Sequence, residues 1–262
     1  MRKQLLLKIG GGVAVVIIVV GITTWFLHRP SLQIREIVVH GNSVISDSDL
    51  KKVTEEALIG KYFYLFPHTN TFIYPEKKIE ASILTSFKQI ESIDIVRTNF
   101  QTLAMEVEEQ KPYALWCLQD ILEDGEVQDI CYFLNREGLV YSYAPNFTGN
   151  VFFRFYGDLD DGDPIGKYYL KVNNGFNKTS LLIDSMTDLD IVPIELHPLG
   201  DDDMELYIDD GSKILFTREQ PSSEVLDNLK VVLKSETFKD ENKGDVEYVD
   251  LRFGNKVFLK VK

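Results

Sequence analysis

From Ile9 to Leu27 the chain carries nineteen residues without a charge, and beyond Pro30 its apolar positions break into short alternating and helical periods. At 1.5 Å per residue the first run is roughly 28 Å long, close to the hydrocarbon thickness of about 30 Å, so it is expected to cross a membrane as one helix. Arg2, Lys3 and Lys8 precede it, and Trp25 and Arg29 mark its far end. The positive-inside bias therefore predicts a cytoplasmic N-terminus. A cleaved signal peptide has a shorter apolar region and a small-residue cleavage site, and the stretch GITTWFLHR offers no such site.

After the apolar run, Leu32 to His40 reads as a strand stopped at Gly41-Asn42. Ser46 is placed as an N-cap, with Asp49 three residues on, for a helix carrying Leu50, Val53 and Leu58 and ending at Gly60. A second helix opens at Pro75 with Ile79, Ile83, Leu84 and Phe87 on one face. Strands at Ile90–Val96 and Thr102–Glu108 complete a strand-helix-helix-strand-strand unit. A domain boundary is expected near Gln110, since from Lys111-Pro112 onward strand patterns dominate. They cover Tyr113–Leu118, Ile130–Leu134, Leu139–Tyr143 and Val151–Tyr156, with Asn135–Gly138 as a tight turn. Phe176, Leu181, Leu182, Met186 and Leu189 recur at helical spacing. Strands return at Val192–His197, Glu205–Asp209 and Lys213–Thr217, a helix opens at Pro221 with Val225, Leu226, Leu229, Val232 and Leu233, and two strands follow, Val246–Phe253 and Val257–Val261. The last strand is expected to form a sheet edge with backbone groups open to a partner. The fold class is thus α+β: a transmembrane helix, a small βααββ domain, and a larger mixed β-sheet domain with two or three helices.

Composition and charge narrow the function. The chain has 262 residues, 44% hydrophobic and 26% charged, which fits globular domains rather than disorder. Net charge is -13, and the four basic residues among the first 29, with no acid there, leave -17 on residues 30–262. Nucleic acid is excluded as a partner, because phosphate binding needs a basic footprint. Such an acidic body is expected to stand off an anionic bilayer.

Several stretches together resemble the FtsQ/DivIB family of bacterial cell-division proteins, over essentially the whole chain. LQIREIVVHGNSVIS is similar to the opening strand and turn of a POTRA domain. IDIVRTNFQTLAMEVEEQKPYALW resembles the hairpin and junction that lead into the family's β domain. CYFLNREGLVYSY resembles a family hairpin, with Asn135 where the family has Asp, and YVDLRFGNKVFLKVK is similar to its terminal strand pair. The resemblance implies residues 1–8 as cytoplasmic tail, 9–27 as transmembrane helix, 30–109 as POTRA domain and 110–262 as β domain with a C-terminal partner-binding strand. It also implies a non-enzymatic scaffold at the division septum of the cell membrane, its bulk extracytoplasmic. Its partners would be single-pass proteins of the FtsB/FtsL kind, and its task the coordination of septal wall synthesis. Carried over by position, the partner-binding residues are Val257, Phe258 and Leu259, with Tyr248 and Arg252 on the preceding strand. Phe258 and Leu251 could equally be core residues of a closing hairpin. Two other readings stand beside this one: an anchored cell-wall hydrolase, and a POTRA-based secretion adaptor that receives extended polypeptide.

Candidate chemistry is sparse. Cys117 and Cys131 fall on neighbouring strands in a compartment that permits oxidation, so a disulfide is expected ahead of two free thiols. A zinc site lacks ligands nearby. Asp158–Asp163 departs from a calcium loop, with Gly162 at the fifth position and Tyr169 where a bidentate Glu belongs, and reads as an acidic turn. Asp201–Asp203 reads as a solvated loop. His28, His40, His68 and His197 lie in no catalytic pattern, and no glycine-rich phosphate loop occurs. Hence no catalytic residue, metal, cofactor or small-molecule substrate is expected.

Overall fold

The computed structural model describes residues 2–121, 127–159, 161–170, 175–200, 202–235, 246–254 and 256–262. The chain separates into two compact units, Met1–Gln110 and Lys111–Lys262. Together they form a mixed α+β protein with one long apolar helix at its start.

That helix, α1 (Arg2–Leu27), contains a 20-residue segment, Lys8–Leu27, of mean hydropathy 2.2 in which no residue is buried by the rest of the protein. It is long and apolar enough to cross a membrane. Its last carbonyl is not left bare. Leu27 O accepts from the side-chain amides of Gln33, at 2.6 Å, and Asn70, at 2.8 Å, which satisfies one of the orphan groups at a helix end.

The rest of this unit is a three-stranded sheet under two helices. β1 (Glu36–His40) lies parallel to β5 (Thr102–Glu109), and β5 forms a hairpin with β4 (Ile90–Arg97), giving the order β1-β5-β4. The first strand is shorter than its apolar pattern suggests. Pro30–Leu32 forms a 3-10 turn, while Ile34 N donates to Thr69 O and Leu32 O accepts from Thr71 N, so these residues pair with a loop instead of with β5. α2 (Asp47–Leu58) begins where Ser46 Oγ accepts from Asp49 N, and α3 (Glu76–Ser86) follows Pro75. Ile79 and Ile83 are fully buried, and they meet Leu50, Leu58, Leu103, Met105 and Val107 in one core. Between the helices lies a short hairpin that the apolar pattern does not predict, β2 (Lys61–Tyr62) with β3 (Phe66–Pro67).

A carboxylate ties the loop before α2 to the end of β5. Glu109 accepts from the backbone N–H groups of Ser43, Val44 and Ile45, each at 3.0 Å, and from the Ser43 hydroxyl at 2.6 Å. Burial pushes its carboxyl up, but these donors outweigh that and hold it below its ordinary range. Removing the carboxylate orphans three consecutive amides. Glu109→Ala should therefore destabilise the unit by roughly 2 kcal/mol, measured by chemical denaturation; a loss indistinguishable from a surface substitution would show the loop to be held otherwise.

The second unit is built on a nine-stranded mixed sheet. Its strands are β6 (Ala114–Ile121), β7 (Val127–Leu134), β8 (Val140–Tyr143), β9 (Arg154–Tyr156), β10 (Pro193–Leu199), β11 (Asp203–Ile208), β12 (Lys213–Thr217), β13 (Val246–Phe253) and β14 (Lys256–Val261). Their order is β14-β13-β12-β11-β10-β9-β6-β7-β8. The pairs β6/β9, β9/β10 and β12/β13 are parallel and the others antiparallel. α4 (Gly175–Thr187) and α5 (Ser222–Leu233) cover one face, over a core holding Trp116, Phe155, Met186, Leu196, Leu206 and Val225. On α4 the buried stripe runs through Phe176, Thr179, Ser180, Ile183 and Met186, and Leu181 is exposed. At 100° per residue Leu181 stands about 140° from Phe176, outside any single stripe. The expected strand from Val151 is shortened to Arg154–Tyr156, with Phe153 O accepting from Leu115 N just before it, and Val151 is exposed.

On the opposite face a smaller cluster of Leu115, Ala144 and Tyr156 surrounds a disulfide between Cys117 and Cys131, which are directly opposed on β6 and β7 with their Cα atoms 4.1 Å apart. Asp203, expected in a solvated loop, is the first residue of β11. Asp160, Asp201 and Asn255 lie outside the described residues.

Candidate functional site

The second unit ends in a hairpin whose outer strand has a neighbour on one side only among the described residues. β14 pairs antiparallel with β13, with Tyr248 opposite Lys260, Val249 opposite Leu259 and Asp250 opposite Phe258. Strand alternation splits the apolar residues of β14 between two faces. Val257 and Leu259 are half-buried against the core beneath the helices. Phe258 points the other way, 52% exposed, with its ring edge-on to Phe253 at 5.2 Å. Leu251, by contrast, is fully buried. Of the two apolar residues that sequence leaves ambiguous, one is core and the other is surface.

The inner strand is anchored far better than the outer one. Gln220 Nε2 donates to Leu251 O and Asn228 Nδ2 to Gly254 O, both at 2.8 Å, so α5 and the residues before it hold β13 and the turn after it by the backbone. Arg252 adds a clamp across three strands. Its Nε and Nη2 engage both oxygens of Asp250, at 2.9 and 2.6 Å, and its Nη1 pairs with Asp203 on β11. Only 8% of the Asp250 side chain is exposed. The hydrogen bonds that Arg252 donates hold the Asp250 carboxyl below its ordinary range, and the carboxylate that accepts them raises Arg252. Arg252 is therefore committed to the sheet itself. Tyr248 is half-buried beside Lys260, whose Nζ lies 5.9 Å from the ring centre and 2.7 Å from Glu247.

These contacts join residues that sequence reasoning treats separately. It placed Arg252 on the partner-facing hairpin but missed Asp203 and Asp250 as its counter-ions, as well as the anchoring amides of Gln220 and Asn228. The spacing of Asp250 and Arg252, two apart on one strand, put them on one face and was the available signal. Lys256 and Lys260 share the Phe258 face by the same alternation, Lys260 being paired with Glu247. Lysines on an edge strand also discourage unspecific pairing.

The remaining polar clusters have local explanations. His197 lies between Tyr156, stacked at 4.1 Å, and Tyr207, with Glu195 at 3.2 Å from its Nε2. His28 Nδ1 bonds to Thr24 O, one helical turn away. A pocket of about 190 Å³ lies between α5 and the sheet, lined by Asp190, Asp209, Leu229 and Val249 among others, below the size of most small-molecule sites. Within it Asp210 accepts from the amide and hydroxyl of Ser212. No group of three or more metal-ligating side chains occurs among the described residues. Compared with known proteins, the chain matches no family model and no curated protein.

Proposed function

We propose that this protein is a single-pass membrane scaffold that captures an extended segment of another membrane protein as an added strand on β14. Residues 9–27 anchor it with the N-terminus in the cytoplasm, and the chain from residue 30 onward lies outside. The outermost position of β14 with Phe258 exposed on it carries this reading. An added strand gains main-chain hydrogen bonds along the edge, and alternate side chains find contacts on either face. Val257 and Leu259 extend the core toward such a strand, while Phe258 favours apolar residues at its alternate positions. The resemblance to FtsQ/DivIB proteins supports reading this activity as one of the divisome. Its partners there are FtsB/FtsL-like proteins at the septum, its role in septal wall synthesis is organising rather than enzymatic, and its first unit is a POTRA domain.

The test is co-purification from membranes. The full-length chain should retain a small membrane partner that a chain ending at Asn255 loses, with the fold preserved by circular dichroism. Phe258→Asp, at an exposed site, should weaken capture by roughly thirtyfold, equivalent to about 2 kcal/mol at an aromatic hot spot. Equal capture by all three chains would move the binding site away from β14.

A further inference from the structure

The tip of the β2–β3 hairpin is built against local preference. Leu65 N donates to Tyr62 O at 3.0 Å, closing a four-residue turn whose central residues, Phe63 and Tyr64, both have positive φ, 49° and 63°. Two-residue turns of that shape favour Asn-Gly, because β-branched and bulky residues are strained there. Here the two positions carry aromatic rings that are 85% and 95% exposed. Strained, solvent-facing aromatic pairs are characteristic of contact sites rather than of fold stability.

Their location identifies the contact. β3 packs against α1, and the Leu27 carbonyl at the end of α1 is bonded by Gln33 and by Asn70 just beyond β3. Tyr64 is two residues from β3, at most about 7 Å of extended chain, while the headgroup layer is roughly 5–8 Å deep on each side of the hydrocarbon. At the same end of the unit, Gln101 Nε2 bonds to Pro30 O, which brings the β4–β5 turn beside the exit of α1. There Phe72 and Phe100 are half-exposed with the Arg97 guanidinium 5.0 and 5.8 Å from their ring centres. Arg29 lies over the Trp25 ring at 4.1 Å. Exposed aromatics interleaved with Lys61, Arg29 and Arg97 match the headgroup zone of a membrane.

We infer that the Phe63-Tyr64 tip, with Phe72 and Phe100 beside it, inserts into the headgroup layer of the bilayer that α1 crosses, anionic phospholipid being the favoured surface. The inference rests on α1 being a membrane span. It fixes the orientation of the first unit on the membrane and replaces the expectation, drawn from net charge, that the body stands off the surface.

The full chain in phospholipid nanodiscs tests it. Tyr64→Cys, Trp25→Cys and Val44→Cys variants would each be labelled with a thiol-reactive fluorophore under non-reducing conditions, which leave Cys117 and Cys131 joined, and probed with a spin-labelled lipid quencher. Val44, 80% exposed, lies at the opposite end of β1 from α1 and reports water. Quenching at position 64 by about twofold or more, comparable with position 25 and absent at 44, is the expected result for an interfacial site. Position 25 quenched with 64 as dry of lipid as 44 would overturn the insertion while leaving the anchor intact, as would protection of 64 that requires an added protein. No quenching at position 25 would remove the anchor itself.

Discussion

Gly41→Ala should be the most damaging single substitution in the first unit. Gly41 has φ +85°, and a Cβ built there would sit 2.2 Å from the backbone oxygen of Val107. Two penalties combine: L-residues are disfavoured in left-handed conformations, and the oxygen belongs to β5, the central strand of a three-stranded sheet, so neither partner can move cheaply. The expected loss is about 3 kcal/mol or more, which for a unit of this size lowers the melting temperature by about 12 °C or more. Thermal unfolding of the full chain, resolved by hydrogen exchange of the β5 amides, would measure it. A loss under about 1 kcal/mol, that of an ordinary Gly→Ala change, would mean that the turn relaxes.

Arg252→Ala should produce the largest effect in the second unit, and one that depends on pH. Removing the guanidinium leaves Asp250 nearly buried without its counter-ion, though still bonded by the backbone N–H of residue 252, and frees Asp203, at a cost of about 3 kcal/mol for breaking a largely buried pair. In the native chain the Asp250 carboxyl is held below its ordinary range by Arg252. A carboxylate whose folded pKa is depressed contributes stability that is present above its unfolded pKa and is lost as pH falls through the folded value. The gap between native and variant should therefore be widest at neutral pH and narrow below about pH 4, where the native chain begins to lose its contribution and protonation relieves the orphaned charge in the variant. Urea denaturation at neutral and acid pH checks both statements. A gap independent of pH would assign the role of Arg252 to packing of its stem rather than to charge. Since Arg252 holds β13 to β11, the same variant should also loosen the edge on which β14 depends.

Much of the chain was legible because local rules acted alone. The length of the apolar run set α1. Ser46 and Pro75 marked helix starts, since capping and a preset φ involve only neighbours, and Gly41 announced a turn for the same reason. The α+β class followed from the sequence of strand and helix periods. Where the pattern failed, tertiary pairing had intervened. Leu32–Ile34 alternates like a strand but pairs with the Thr69–Thr71 loop, and Leu181 is as apolar as Leu182 yet faces away from the sheet.

The candidate site was legible only in part. Sequence pointed to the last hairpin, but nothing local separates Phe258 from Leu251; their burial is decided by which face α5 covers. The Arg252 clamp joins Asp203 to a residue 49 positions away, and a strained Phe-Tyr turn contradicts the propensities from which turns are read. By itself, the sequence determined the apolar span, the division into helices and strands, and the acidic balance of the body, because each depends on neighbours or on composition. Only the tertiary structure decided the strand order, the partners of buried charges and the identity of exposed aromatics, because those depend on residues that are distant along the chain and adjacent only once it has folded.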